Sequence, residues 1–315
     1  MAFERSNNPY RGTDLGGRLM KRRSVPTTLI ILQSIFCCLT TAHAQNSRAA
    51  TAASYLDRGA AWISKGELDR AIADFDLAIA SDPTSAVAFY NRGSARSQKR
   101  DLEGALADYD RAIQLDPRLA EAWANRGGIR YITGDLYGAI SDSSRAIELN
   151  PRMALAWNNR GLARLDKGEL AGAVADFDRS IKLDPKRAET YYNRGTARYR
   201  LKDFDGSIGD RTQAIKLKPD FAAAWGDRGA ARLAKGDTEG ALADYNRAIE
   251  LNPTSAIGYF NRSLVWSVRG DLARAIADCD QAIAFDPSFA ETSCKRGLTR
   301  KPERTSTAAW RSTRP

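Results

Sequence analysis

The sequence predicts an all-α protein, an α-solenoid of seven tandem antiparallel helix pairs, on three observations. Prolines fall at 83, 117, 151, 185, 219, 253 and 287, each 34 residues after the last. A second ladder in the same register reads Asn91-Arg92-Gly93, Asn125-Arg126-Gly127, Asn159-Arg160-Gly161 and Asn193-Arg194-Gly195, with variants at residues 57–59, 227–229 and 261–263. An aromatic residue leads each unit: Tyr55, Phe89, Trp123, Trp157, Tyr191, Trp225 and Tyr259. Ladders that share one period mark an internal repeat, so the 315 residues are read as one array rather than as two or three globular domains. With residue 52 as the first position, the repeats run 52–85, 86–119, 120–153, 154–187, 188–221, 222–255 and 256–289.

The first helix of each repeat carries the aromatic residue and, four residues on and so on the same face, a small one such as Gly59, Gly93 or Gly127. Glycine inside a helix costs about 1 kcal/mol against alanine, so its recurrence implies close approach of a partner helix. That partner supplies small residues of its own at Ala71, Ala105, Ala139, Ala173, Ser207, Ala241 and Ala275. Turns such as Lys65-Gly66-Glu67 and Lys235-Gly236-Asp237 separate the two helices, glycine ending one and the acid favouring the next N-terminus. The repeated Pro stops the second helix, because it lacks an N–H and clashes with the preceding turn. No pair can bury its apolar face alone, so neighbours must stack.

A 34-residue period with these residues resembles the tetratricopeptide repeat family. The resemblance covers about three quarters of the chain, residues 52–289, and implies a right-handed superhelix with a concave groove. Where the family commonly has Leu before the glycine, this chain has Arg in all seven repeats, from Arg58 to Arg262. Sixteen residues after each lies an Asp, giving Arg92 with Asp108, Arg126 with Asp142 and Arg160 with Asp176. A second Arg follows at i+4 in the five inner repeats, while Trp62 and Trp266 stand there in the outer two. Like charges at i and i+4 repel, so a facing acid is required. The pattern is read as a charge ladder fixing helix register along the helix-pair interface; the alternative is a ligand-binding Arg row. The fifth repeat departs from the pattern with Gly209 and Arg211, and is expected to be the weakest link of the stack.

The resemblance places Leu56, Tyr90, Tyr131, Asn158, Leu162, Leu165, Tyr192, Tyr199, Leu233, Phe260 and Leu264 along the groove. That lining is apolar and aromatic, which suits an extended peptide or a partner helix. The alternative for each aromatic is packing against a neighbouring repeat. Well-known members clamp a C-terminal carboxylate with Lys at the fifth and Asn at the ninth position of one repeat. Here those positions read Leu56/Ala60, Tyr90/Ser94, Ala124/Gly128, Asn158/Leu162, Tyr192/Thr196, Gly226/Ala230 and Phe260/Leu264, and none matches.

Outside the repeats, residues 1–44 read as a leader. Met20-Lys21-Arg22-Arg23, the apolar run Val25 to Leu39 and the small residues Ala42 and Ala44 form the three parts of a secretory signal, cleaved after Ala44. Residues 1–19 fit no part of it, so Met20 is the expected start. Secretion or a periplasmic location is expected, with peripheral membrane association; the alternative is an inner-membrane protein held by an uncleaved leader. Residues 45–51 are a linker, 290–301 the first helix of a partial eighth repeat, and 302–315 a disordered basic tail. That partial repeat would leave the last helix thinly covered, through truncation or because the end docks a partner or a second copy.

The formal charge of +10 is concentrated at the ends. Residues 1–44 hold six Lys/Arg against two Asp/Glu and residues 295–315 hold seven against one, which leaves 35 of each sign between them. A neutral body argues against nucleic acid as a partner. The single histidine, His43, lies at the cleavage site, so the usual general base and zinc ligand are missing. No catalytic residue, metal site or cofactor is expected. Cys279 and Cys294 remain after cleavage, either as two free thiols or as a disulfide in an oxidising compartment. The expected function is a non-enzymatic scaffold that binds a protein or peptide in the groove. The alternative is a structural or assembly subunit of a cell-envelope complex, forming a homodimer through its C-terminal end.

Overall fold

Each repeat folds as two helices because its apolar residues recur at helical spacing on one face, with breakers at both ends. The computed structural model describes residues 50–287, and among these it contains fourteen helices and no strand. Helices α2 to α14 lie in one compact unit that begins at Ala52. Helix α1 spans 50–64 and pairs in sequence with α2, Leu68–Ser81. The pairs that follow are α3 (Ala86–Gln98) with α4 (Leu102–Leu115), α5 (Ala120–Ile132) with α6 (Leu136–Leu149), and α7 (Ala154–Lys167) with α8 (Leu170–Leu183). The last three are α9 (Ala188–Arg200) with α10 (Phe204–Leu217), α11 (Ala222–Ala234) with α12 (Thr238–Leu251), and α13 (Ala256–Val268) with α14 (Leu272–Phe285).

Local chemistry sets the boundaries. Five second helices start at an Asp whose carboxylate accepts the N–H three residues on, as Asp101 does from Gly104 at 2.9 Å and Asp135 from Gly138 at 2.8 Å. Gly66, Gly134, Gly168, Gly236 and Gly270 take the turn between the helices at positive φ. In two repeats Arg100 and Lys202 are forced into that left-handed region, at φ 67° and 64°. At the far end every second helix but α10, which ends on Lys218, closes on Asp or Asn before Pro, with Asp116 Oδ1 accepting the Arg118 N–H at 2.9 Å.

The core is a row of small clusters, one at each repeat junction and one within the last repeat, rather than one centre. Ala71, Ala105, Ala139, Ala173, Ala241 and Ala275 are fully buried, which lets the paired helices approach closely. The close approach explains the helical glycines: a Cβ on Gly161 would lie 2.7 Å from the Phe177 ring. Phe177 is itself fully buried, a burial that contributes roughly 2–3 kcal/mol. Every second helix from α2 to α12 packs on the following first helix, so the stack is continuous. No helix of the described residues is long and apolar enough to cross a membrane.

Candidate partner-binding face

First helices of successive repeats also touch one another, as α5 does α7, whereas second helices do not to a comparable extent. Elements that approach more closely lie on the inside of a curved stack, so the first helices form the concave layer. They are tied side by side by Asn159 Nδ2 donating to the Ala124 carbonyl at 3.1 Å and by Arg200 Nη1 donating to the Leu165 carbonyl at 2.8 Å.

The residues expected to line the groove divide into two sets. Leu56, Tyr90, Tyr131, Leu162, Tyr192, Tyr199, Leu233 and Leu264 are half-buried. Asn158, Leu165 and Phe260 are only 5%, 3% and 6% exposed, so their side chains are taken up by the stack instead of the surface. Asn158 meets Thr190 Oγ1 at 3.4 Å, Leu165 packs with Ala173, Phe177 and Ala197, and Phe260 lies against Cys279 and Ala282. Several tyrosines also have packing partners. The Tyr90 ring lies 6.0 Å from that of Tyr109, Tyr192 4.9 Å from Phe221, and the Tyr131 hydroxyl donates to Asp166 at 2.9 Å.

The exposed apolar groups on these helices are ones that residue pattern alone did not single out. Val87, Ile132, Ile257 and Val268 are 48%, 61%, 48% and 54% exposed. Val87 precedes Tyr90 by three residues, and Ile257, Leu264 and Val268 share one face of α13. The helical spacing from the expected positions was the available signal.

The arginine ladder is structural in its geometry and reaches further than its period implied. Arg126 grips Asp142 with two bonds of 2.7 Å, from Nε and from Nη2. Its Nη1 turns back to Asp110 of the preceding repeat at 2.5 Å. Arg92 and Arg194 bridge in the same way to Asp76 and Asp178, while Arg160, Arg228 and Arg262 reach Ser144, Thr212 and Asn246. The second arginine joins the same buried carboxylate, Arg164 Nη1 lying 2.8 Å from Asp176 and Arg130 Nη1 2.9 Å from Asp142. In the first repeat Trp62 Nε1 takes that place, donating to Asp74 at 3.1 Å.

The leading aromatics complete the unit. Trp123, Trp157 and Trp225 donate to the carbonyls of Pro117, Pro151 and Pro219 at 2.9–3.0 Å, and their rings lie 4.7–4.8 Å from the guanidinium carbons of Arg126, Arg160 and Arg228. Burial is the largest effect on the Arg126 guanidinium and lowers its pKa, yet Asp142 and Asp110 together hold it above the ordinary value. Asp142 and Asp176 are 1% and 2% exposed, and each is paired with two arginines of its own repeat.

Among the described residues no group of three His, Cys, Asp or Glu is placed to hold a metal ion. Cys279 is a buried free thiol; its candidate disulfide partner Cys294 lies outside the described residues, as do Ala42 and Ala44.

Comparison with known proteins agrees with this architecture. Residues 86–119 match the tetratricopeptide repeat model, and residues 161–202 and 229–265 match the related TPR repeat model. The chain thus contains tetratricopeptide repeats. Among solved structures it is similar to PilF of Pseudomonas aeruginosa, with TM-score 0.61 and 19% identity, covering 67% of this chain and 96% of that one. A tetratricopeptide repeat protein from Parabacteroides merdae aligns with TM-score 0.58 and 18% identity over 79% of this chain and 99% of the other. YrrB, described as a TPR protein with an unusual peptide-binding site, aligns with TM-score 0.52 and 19% identity over 60% and 96%. A comparison with curated proteins finds no significant match.

Proposed function

We propose that this chain is an exported, non-enzymatic scaffold that holds an extended peptide or a segment of a partner protein along the concave layer. The repeat fold is consistent with a protein-protein interaction scaffold. One observation carries the finer reading: half-buried tyrosines and leucines recur along the first helices, with Val87, Ile132, Ile257 and Val268 exposed among them. Such a surface offers apolar area to a backbone in extended form. YrrB, of like fold, is described as having a peptide-binding site, which supports the reading without assigning a ligand. Export rests on the basic, apolar and Ala-x-Ala segments of the leader, and implies a mature chain beginning at Gln45.

The test is capture from a cell-envelope extract by residues 45–315, beside a Val87→Lys/Ile257→Lys/Val268→Lys variant. All three side chains are exposed, so the variant should melt like the parent. A partner that the parent retains and the variant loses establishes the concave site; equal capture by both removes it. The alternative, self-association through the C-terminal end, is favoured by Leu272, Ile276 and Phe285 of α14, which are 56%, 50% and 43% exposed. Sedimentation of the mature chain over a hundredfold concentration range, showing a dimer lost with Leu272→Lys/Ile276→Lys, would make that the better reading.

A further inference from the structure

Within each repeat one side chain of the second helix lies over the small residue of the first. It is Phe75, Tyr109, Phe177 or Tyr245 in four repeats, and Arg211 in the fifth. Arg211 occupies the aromatic ring's place: a Cβ on Gly195 would lie 2.9 Å from its Nη1, as one on Gly93 would lie 3.0 Å from the Tyr109 ring. Arg211 is 2% exposed and its Nε is one of two buried side-chain polar atoms without a hydrogen-bond partner among the described residues.

The residue sixteen positions on, across the repeat boundary, changes with it. Asn125 reaches back to the Tyr109 hydroxyl at 3.5 Å, whereas opposite Arg211 the chain has Asp227, 6% exposed, at 3.3 Å from Nη2. Arg211 also bonds Ser207 Oγ and lies 5.8 and 5.9 Å from the Tyr192 and Tyr199 rings. Tyr192 and Tyr199 of α9, Arg211 of α10 and Tyr245 of α12 are the titratable groups around Asp227. Their help is incomplete, for burial leaves the Asp227 carboxyl above the usual range. A buried ion pair with one long bond and an unpartnered donor is a poor substitute for apolar packing.

Two further features coincide here. Gly209 stands in mid-α10 where five other second helices carry Ala, and a Cβ there would meet nothing within 4 Å. Of the neighbouring first-helix pairs between α3 and α13, α9 and α11 make the loosest contact, although α10 packs on α11 as extensively as second helices do at the other boundaries.

We propose that the boundary between the fifth and sixth repeats is a joint, at which α10 and α11 part and the Arg211–Asp227 pair becomes hydrated. Opening it turns Tyr192 and Tyr199 relative to Leu233, and so changes the curvature of the concave layer. The proposal does not depend on the partner-binding reading.

Hydrogen–deuterium exchange on the purified chain, without any partner, tests it. Amides of α10 and α11 are expected to exchange roughly tenfold faster than their equivalents in α4 and α5. Arg211→Tyr with Asp227→Asn, which recreates Tyr109 and Asn125, is expected to bring them back to that level. Equal protection in the unmodified chain overturns the joint. Fast exchange that survives the double substitution, or a double variant that fails to fold, overturns the role of the ion pair.

Discussion

At the residue scale, one carboxylate per repeat organises the charged chemistry. Asp142 receives Arg126 and Arg130 while almost fully buried, and the acceptors left to them, Asp110 and Asp135, are half exposed. Removing the acid leaves two buried or half-buried cations facing each other. Asp142→Ala is therefore expected to destabilise by about 3–5 kcal/mol, read from the urea midpoint. Arg145→Ala, which breaks only the exposed pair with Glu148 at 2.9 Å, is expected to change it by less than about 0.5 kcal/mol. Asp74 tests the pH dependence. The Arg58 hydrogen bond, stronger than the opposing effect of burial, holds its carboxyl below the ordinary value. Its contribution is fully present above the unfolded value near 4 and is lost as pH falls through the lowered folded value. The stability difference between the parent and Asp74→Asn should thus be largest at pH 6 and close towards pH 2. A difference independent of pH would show that the carboxylate's charge is not what stabilises the first repeat.

At the element scale, the turns between paired helices and the close helix crossings decide what is tolerated. Lys202 sits at φ 64° without the glycine that five other turns use, a conformation that costs a β-carbon roughly 1–2 kcal/mol. Lys202→Gly relieves this but loosens the unfolded chain, so a net gain of about 0.5–1 kcal/mol is expected by thermal melting. Gly161→Ala should act in the opposite sense. The new methyl meets the Phe177 ring, itself fixed in the core, and a cost of about 1–3 kcal/mol is expected in the same assay. Gly59, Gly93 and Gly229, set against aromatic rings in the same way, show why the position stays small along the array.

At the scale of the whole molecule, stability is a sum of repeats and junctions. Each cluster of the core joins residues of one or two adjacent repeats, with no centre shared by all. Unfolding in urea is therefore expected to be non-coincident, with tryptophan fluorescence and helical circular dichroism giving different midpoints; superimposable curves would mean that the junctions couple the array into one cooperative unit. The tryptophans suit this comparison because those of the described residues, Trp62, Trp123, Trp157, Trp225 and Trp266, sit in first helices of different repeats.

The period, the helix boundaries and the pairing of Arg with Asp inside a repeat were determined by the sequence alone, because each follows from short-range rules. Pro and Gly interrupt helices wherever they fall, and a facing acid is demanded wherever two arginines stand a turn apart. Contacts between repeats were decided only in the folded stack. Nothing local marks Asp110 as the acceptor for Arg126, or Asp227 as the counterion of Arg211, since both bonds cross a junction whose geometry depends on how neighbouring pairs settle. The same reason divides the concave row: Leu162 and Leu165 are one turn apart on α7, yet Leu165 is buried against Phe177 and Ala197 while Leu162 keeps part of its surface. Which side of a helix meets its own partner is written in its periodicity, but how much of the other side remains for a ligand depends on how closely the next repeat approaches.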